Sequence, residues 1–217
     1  MTRALALALI LSAPAVDAHP HLFLDTGLNP VFNAEGALVG VRVIWLYDEF
    51  YSLLLIEENT FDRDGDGRLT TDEAAKLAGF DQRPDEGFTG TSAIYQGDTP
   101  LPLSEPFQPS ITLEAGRLIS THLRLLNEPL AMGGAPVLLR TFDPTYYAAF
   151  DLSLTPRTEG GGAGCDLVVT EPDTDTAMRV LEQVLGGPAS DFSETDDFPE
   201  VGENFADTLM LTCPAPD

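Results

Sequence analysis

Residues 37–47, Ala-Leu-Val-Gly-Val-Arg-Val-Ile-Trp-Leu-Tyr, form the stretch that most strongly decides the fold class. From Val39 to Trp45, apolar side chains recur at every second position, so an extended chain carries them on one face. The preceding residues 33–36, Asn-Ala-Glu-Gly, have the composition of a turn. Since side chains of residues 19–26 also alternate between two faces if extended, the sequence predicts a β-hairpin near the N-terminus, after residue 18.

The rest of the chain has more runs of strand length than of helical spacing. Apolar runs, most of them separated by Pro or Gly, lie near Thr112 and at 118–126, 137–142, 148–154, 166–170 and 207–212. Helical spacing begins at Asp48, recurs at 71–78 and returns at about 173–185. We therefore predict an α+β fold, mainly antiparallel β strands in a sandwich-like two-layer arrangement. A helix-loop-helix is inserted at about residues 48–80, and one later helix follows.

The charge balance limits the choice of partners. The chain of 217 residues has 35 Asp and Glu against 11 Lys and Arg, a formal net charge of -24. Such acidity argues against binding to nucleic acid or to anionic membrane surfaces and favours cations as partners. A hydrophobic fraction of 43% still allows a folded core. Acidic residues are dense at 171–207, including the segment 190–204, which we interpret as a solvated surface.

The N-terminus has the pattern of a signal peptide. A short positive end at residues 1–3 precedes the apolar run 4–11, and Val16-Asp17-Ala18 fits a cleavage site. The run is too short for a membrane span, which needs about 20 residues. We therefore predict that residues 1–18 are removed and that 19–217 form a single periplasmic domain without membrane insertion. Cys165 and Cys213, the two cysteines of the chain, would form a disulfide bond in that oxidising compartment.

Residues 62–73, Asp-Arg-Asp-Gly-Asp-Gly-Arg-Leu-Thr-Thr-Asp-Glu, fit the twelve-residue EF-hand calcium loop at each diagnostic position. Asp62, Asp64 and Asp66 supply carboxylates at the first, third and fifth positions, and Gly67 permits the sharp turn. The alternative is an Asp- and Gly-rich turn without an ion.

The second half of the loop completes the calcium prediction. Arg68 is expected to offer its backbone carbonyl, and Thr70 to act directly or through water. Glu73 is expected to close the site with both carboxylate oxygens, while Leu69 points into the core. Because sensor proteins usually pair two such hands and no second loop is found in the sequence, we expect calcium to stabilise the fold.

The predicted mature N-terminus is a second candidate metal site. His19 and His21 are two apart, so in a strand both imidazoles face the same way and can bind one ion together with the α-amine of His19. Nickel, cobalt, copper or zinc suits these nitrogens. His122 becomes a third ligand only if the fold brings it close. The alternative is that His19 and His21 are exposed or satisfied in the core at the start of a strand and that His122 is structural.

Several segments together resemble a known family. They are residues 19–25 with the His-Pro-His start, 45–52, the Asp-rich loop, 142–150, and 205–208 leading to Cys213. They resemble exported bacterial proteins of unknown function described as periplasmic components of an uncharacterised ABC-type transport system. Members are often encoded near nickel/cobalt-type permeases, so the resemblance implies a role in transition-metal traffic with a membrane metal transporter as partner.

Three functional hypotheses follow. The first is a non-enzymatic periplasmic calcium-binding accessory protein that assists transition-metal transport. The second is a copper-dependent oxidative enzyme that uses His19, which requires His122 nearby as a third nitrogen ligand. The third is a purely structural or protein-binding module. Because the sequence has no Gly-x-Ser-x-Gly, His-Glu-x-x-His or phosphate-loop motif, we predict that the protein is not an enzyme.

Overall fold

The computed structural model describes residues 20, 22–59, 62, 64–82, 90–189 and 199–214. The strands within this part are β1 Leu22–Phe32, β2 Leu38–Tyr47, β3 Thr91–Gln96, β4 Thr99–Leu101, β5 Phe107–Glu114, β6 Arg117–Leu130, β7 Val137–Phe142, β8 Ala148–Asp151, β9 Asp166–Thr170 and β10 Thr208–Thr212. The α-helices are α1 Glu49–Asn59, α2 Thr71–Leu77 and α3 Thr174–Leu185, with 3-10 turns at Phe80–Gln82 and Gly202–Phe205. The predicted signal peptide 1–18 and the candidate ligands His19 and His21 lie outside the described residues.

The strands form two five-stranded sheets. One has the order β5-β6-β2-β1-β8 and the other β4-β3-β7-β10-β9. Pairing within both sheets is antiparallel, except that β1 runs parallel to β8. The predicted α+β class with mainly antiparallel strands is therefore confirmed.

The predicted opening hairpin is present. Asn33 begins its turn by accepting hydrogen bonds at Oδ1 from the amides of Glu35 and Ala37, at 3.1 and 2.9 Å. In β2, a register shift between Leu38 and Gly40 changes the phase of the strand. A Cβ atom at Gly40 would overlap the carbonyl oxygen of Arg124. Glycine is therefore needed at this close approach of β2 to β6.

The two sheets pack on one shared core. Val43 and Trp45 from the first sheet belong to the same buried cluster as Leu139 from the second. Across this core the indole Nε1 of Trp45 donates a hydrogen bond of 3.4 Å to Oγ1 of Thr141. Burial of these apolar faces on both sides is what holds a two-layer arrangement together.

Strands β3 and β4 were not predicted. Only Ile94 of β3 is a large side chain fully buried in the core, and β4 has three residues, so neither gives a clear period of two. Strand β8 also ends at Asp151, earlier than the predicted run to 154. By contrast, α3 closely follows its prediction, with Asp173 capping its start and Gly186 in the left-handed conformation at its end.

The predicted disulfide bond is confirmed. Cys165 precedes β9, Cys213 follows β10, and the bond between them closes the edge of the second sheet. None of the helices in the described part of the chain is long and apolar enough to cross a membrane.

Two acids of the 171–207 region make specific contacts rather than only facing solvent. Glu203 forms an ion pair of 3.1 Å with Arg140 and accepts a hydrogen bond of 2.7 Å from Tyr95. The carboxylate of Asp207 is largely buried and accepts a hydrogen bond of 2.8 Å from the amide of Leu152. The interpretation of this region as a purely solvated surface therefore fails at these two residues.

Candidate cation-binding loop

Three carboxylates come together in the loop between α1 and α2. One oxygen from each of Asp62, Asp64 and Asp66 lies within 4.8 Å of the other two. Asp64 and Asp66 are exposed and Asp62 is partly exposed. Carboxylate oxygens are the ligands that hard divalent cations prefer, so this donor set fits calcium.

The loop curls around the side chain of Asp62. Its Oδ1 accepts hydrogen bonds from the amides of Gly65 and Asp66, at 2.9 and 3.2 Å, and its Oδ2 accepts one of 2.8 Å from Gly67. Gly65 and Gly67 have φ angles of +70° and +75°, a conformation that strains other residues. Apart from its chain neighbours, no described residue has an atom within 4 Å of a Cβ built at either glycine. These positions therefore require glycine for its backbone freedom and not for space.

The remaining two carboxylates of the cluster continue the same pattern. Asp64 Oδ1 accepts from the amide of Asp66 at 3.3 Å, and Asp66 Oδ1 accepts from the amide of Arg68 at 2.9 Å. The hydrogen bond from the Asp66 amide acts to lower the pKa of Asp64. It is outweighed by the negative charge of Asp66 and by the side-chain contact with Asp62, so the pKa is raised. The cluster is therefore repulsive, and a bound cation would relieve that repulsion.

Thr70 and Glu73 are engaged with each other at the start of α2. Glu73 Oε2 accepts hydrogen bonds from the amide and hydroxyl of Thr70, at 2.9 and 2.7 Å. Thr70 Oγ1 in turn accepts a bond of 3.3 Å from the amide of Glu73, which completes a capping box. Glu73 does not belong to the cluster formed by the three aspartates. Its bidentate contact with an ion stays a prediction.

Helix α1 anchors the entry of the loop to the sandwich. Ser52 is buried and its Oγ accepts a hydrogen bond of 2.9 Å from the amide of Leu118 in β6. Tyr51 stacks on Tyr47 with ring centroids 5.5 Å apart. The start of the loop is therefore attached to two strands of the first sheet.

The exit of the loop is anchored through the ring and the hydroxyl of Tyr47. Leu69, at the eighth loop position, packs against the core as predicted, and Leu77 is fully buried. Phe80 contacts the ring of Tyr47 at 5.7 Å between centroids. The Tyr47 hydroxyl donates a hydrogen bond of 2.9 Å to Oδ2 of Asp81, a carboxyl group that is only 1% exposed.

Sequence reasoning missed Asp81. Burial raises the pKa of its carboxyl group, although the nearby Ser120 side chain and the hydrogen bond from Tyr47 act to lower it. Burial, together with the nearby charge of Asp81, raises the pKa of Tyr47 well above its ordinary value. The only signal in the sequence is the position of Asp81 just after the apolar Phe80, which is not enough to distinguish a buried acid from an exposed one.

His122 lies in the core and not at the start of β1. It pairs with Val43 of β2, which pairs with Leu28 of β1. Leu28 is six residues beyond Leu22, the first residue of β1, or about 20 Å along a strand. His122 is 2% exposed and contacts the Trp45 ring edge-on at 4.7 Å. The described residues therefore give no support to His122 as a third ligand at the N-terminus.

The environment of His122 is that of a neutral side chain. Burial, with a smaller effect from the charge of Arg124, lowers its pKa from 6.5 to about 4. Its Nδ1 atom is buried and has no hydrogen-bond partner among the described residues. Both observations are compatible with a neutral imidazole buried in the core.

A groove lies beside the aspartate cluster. It has a volume of about 530 Å³. Its apolar lining comes from Leu53 and Ile56 of α1 and Leu113 of β5, and its polar lining includes Glu57 and Asp62. The loop that carries the three aspartates therefore forms part of the wall of an apolar groove.

Comparison with known proteins assigns the chain to a family. No curated protein matches it. A family model described as "Protein of unknown function (DUF1007)" matches residues 4–213, which is nearly the whole chain. The chain therefore belongs to the DUF1007 family of proteins of unknown function.

Proposed function

We propose that the loop 62–73 is an EF-hand-type calcium site and that the protein is a non-enzymatic, exported calcium-binding accessory protein. The observation that carries this proposal is the convergence of three carboxylates, from Asp62, Asp64 and Asp66, within 4.8 Å. Calcium takes six to eight oxygen ligands at about 2.3 to 2.6 Å, and a compact set of carboxylates supplies the first of them.

The rest of the loop offers the further oxygens that calcium needs. Arg68 contributes a backbone carbonyl, and side-chain oxygens come from Thr70, which caps α2, and from Glu73 on its first turn. The repulsion that raises the pKa of Asp64 also favours a cation, because two positive charges offset the crowding of three negative ones.

A stabilising role fits the way the loop is attached. Both helices that flank it contact the sandwich, α1 through Ser52 and α2 through the segment ending at Asp81. An ion that orders the loop therefore stabilises the junction of the helix-loop-helix with the sheets. Calcium modules outside the cell commonly bind in the range of about 10⁻⁴ to 10⁻³ M, so millimolar calcium is the relevant concentration.

Thermal melting in calcium and in EDTA tests the calcium site. We expect millimolar calcium to raise the Tm of the wild-type chain and of Asp72→Asn, which changes an exposed acid in the same segment. In the double variant Asp62→Ala with Glu73→Ala the increase should disappear. A wild-type Tm that does not change on addition of calcium would contradict the proposal.

Export and metal transport form the second part of the proposal. The signal-peptide pattern at 1–18, the disulfide between Cys165 and Cys213, and the resemblance to periplasmic transport components support it. We propose that His19 and His21 at the mature N-terminus bind nickel, cobalt, copper or zinc for a membrane metal transporter.

Mass spectrometry and metal analysis of protein secreted with its own leader test this second part. The mature chain should begin at His19 and bind one transition-metal ion, and His21→Ala should weaken that binding. His122→Leu is the matched control, because His122 lies in the core. Retention of residues 1–18, or equal metal binding by all three chains, would contradict the proposal.

A further inference from the structure

Helix α1 is apolar on two faces. The side that packs on the sandwich includes Tyr51, Leu55 and Ile56. The outer side carries Phe50, Leu53 and Leu54, which are 77%, 55% and 39% exposed. Positions 50, 53, 54 and 57 follow the spacing of one helical face, so these side chains form a continuous outer stripe that ends at Glu57. A helix with two apolar faces is expected to be covered on both.

The outer stripe continues into the groove beside the loop. Leu53 belongs to both features, and Ile56 and Leu113 extend the apolar surface toward β5. Helix α3 offers a contrast, because Val184 is its only large exposed apolar side chain among the described residues. Single exposed apolar residues are normal, whereas a stripe joined to a groove of about 530 Å³ is typical of an interaction surface.

The charge around the stripe is strongly negative. From residue 48 to residue 62 the sequence has five acidic residues and no basic one. They are Asp48, Glu49, Glu57, Glu58 and Asp62. Of these, Glu49 and Glu57 are exposed on α1. A second copy of the chain, with its net charge of -24, would be repelled, and so would an anionic membrane.

We propose that the outer stripe and its groove bind a cationic amphipathic helix of a protein partner. The apolar side chains of the partner helix would contact Phe50, Leu53 and Leu54, and its lysines or arginines would face the acids along α1. This inference does not rest on the calcium proposal, because the stripe and its acids are present whether or not the loop holds an ion.

Fluorescence anisotropy with a labelled helical peptide of about 18 residues tests the proposal, with Leu at the spacing of one helical face and Lys elsewhere. The full mature chain is titrated in EDTA and again in calcium. Two further peptides have the same pattern, one with Glu in place of Lys and one with Ser in place of Leu. We expect the Leu/Lys peptide to bind at least about tenfold more tightly than either, and its affinity to fall with salt.

Two matched pairs of variants locate the binding. Leu53→Ser should lower the affinity for the Leu/Lys peptide by about tenfold or more. Val184→Ser, which changes a side chain of similar exposure, should leave that affinity unchanged. Glu57→Lys should weaken it as well, and Glu128→Lys, an exposed acid on β6, should not. Because these side chains are exposed, the variants should keep the wild-type melting curve, and the charge pair tests the proposal independently of Leu53.

Equal effects within either pair would overturn the proposal. So would failure of the Leu/Lys peptide to bind the wild-type chain in both EDTA and calcium. Binding to phosphatidylcholine vesicles that Leu53→Ser abolishes would assign the stripe to lipid instead. A dimer detected by sedimentation that Leu53→Ser dissociates would assign it to a second copy. Peptide binding in EDTA supports the proposal even if calcium leaves the Tm unchanged.

Discussion

The aspartate cluster at 62–66 and Asp81 use the same side chain in opposite ways. The cluster is exposed, repulsive and closed by its own loop amides. Asp81 is buried, accepts from Tyr47 and attaches the end of the same helical segment to β2. Solvent access explains the difference, since a carboxylate in water can respond to cations whereas a buried one responds to protons and packing. His122 belongs with Asp81 as a buried titratable group.

The largest expected effect is the pH dependence caused by His122. Its pKa is about 4 in the folded chain and 6.5 ordinarily, so the unfolded chain takes up a proton first as the pH falls. The contribution of His122 to the free energy of unfolding should therefore be fully present above pH 6.5. It should fall by about 3 kcal/mol as the pH decreases from 6.5 to 4.

Urea unfolding of the wild-type chain and of His122→Leu between pH 4 and 7 measures this contribution. The variant should lose this part of the slope, because a leucine does not titrate. At pH 7 it should fold nearly as stably as the wild type, since Nδ1 has no partner among the described residues. The same slope in both chains would show that His122 is accessible to protons in the folded state.

The next effect concerns the hydrogen bond between Tyr47 and Asp81. Asp81→Ala leaves the buried Tyr47 hydroxyl without this acceptor, and we expect a loss of about 2 kcal/mol at neutral pH. Asp81→Asn keeps an acceptor oxygen and removes a buried charge, so its loss should be much smaller. Chemical denaturation of both variants measures the difference. Equal losses would mean that the charge of Asp81, and not its hydrogen bond, holds the segment.

Asp81 should also oppose the pH effect of His122. Its raised pKa means that the folded chain keeps this proton longer than the unfolded chain as the pH rises. The contribution of Asp81 to the free energy of unfolding is therefore fully present at pH values below its ordinary pKa of 3.8. It decreases as the pH rises toward the higher pKa of the folded chain. In Asp81→Asn this decrease should vanish, so unfolding free energies of the variant should rise more steeply above pH 4 than those of the wild type.

Calcium should have a smaller effect, and only on the exposed cluster. At a calcium concentration ten times the Kd, binding stabilises the fold by about 1.4 kcal/mol. Asp62→Asn should remove this gain, and Asp81→Asn should keep it. If both variants kept the gain, calcium would be bound elsewhere in the chain.

The smallest effect is expected from the backbone of the loop. Gly67→Ala places a Cβ at a φ of +75° and should cost about 1 kcal/mol, with no clash against the described residues. Gly187→Ala is the control, because Gly187 has an ordinary φ and no described residue beyond its chain neighbours lies within 4 Å of the added Cβ. Thermal melts of both variants in EDTA give the comparison. A Tm loss in Gly187→Ala equal to that in Gly67→Ala would rule out backbone strain as the cause.

Local patterns in the sequence predicted much of the fold. Alternation found β2, and the helical spacing with caps found α3 between Asp173 and Gly186. The same reasoning missed β3 and β4, whose mixed side chains give no period, and the parallel pairing of β1 with β8. It found the loop carboxylates because their spacing is local, but it could not find Asp81, whose partner Tyr47 is distant in sequence.

The sequence by itself determined most of the strand-forming runs, the pairing of Cys165 with Cys213 and the convergence of the loop aspartates. Each of these follows from side-chain period, from composition, or from a few consecutive residues. Only the tertiary structure decided the order of strands in the two sheets, the burial of His122 and Asp81, and the exposure of the outer stripe on α1. The physical reason is that burial depends on which distant segments cover a side chain, and no local pattern records that.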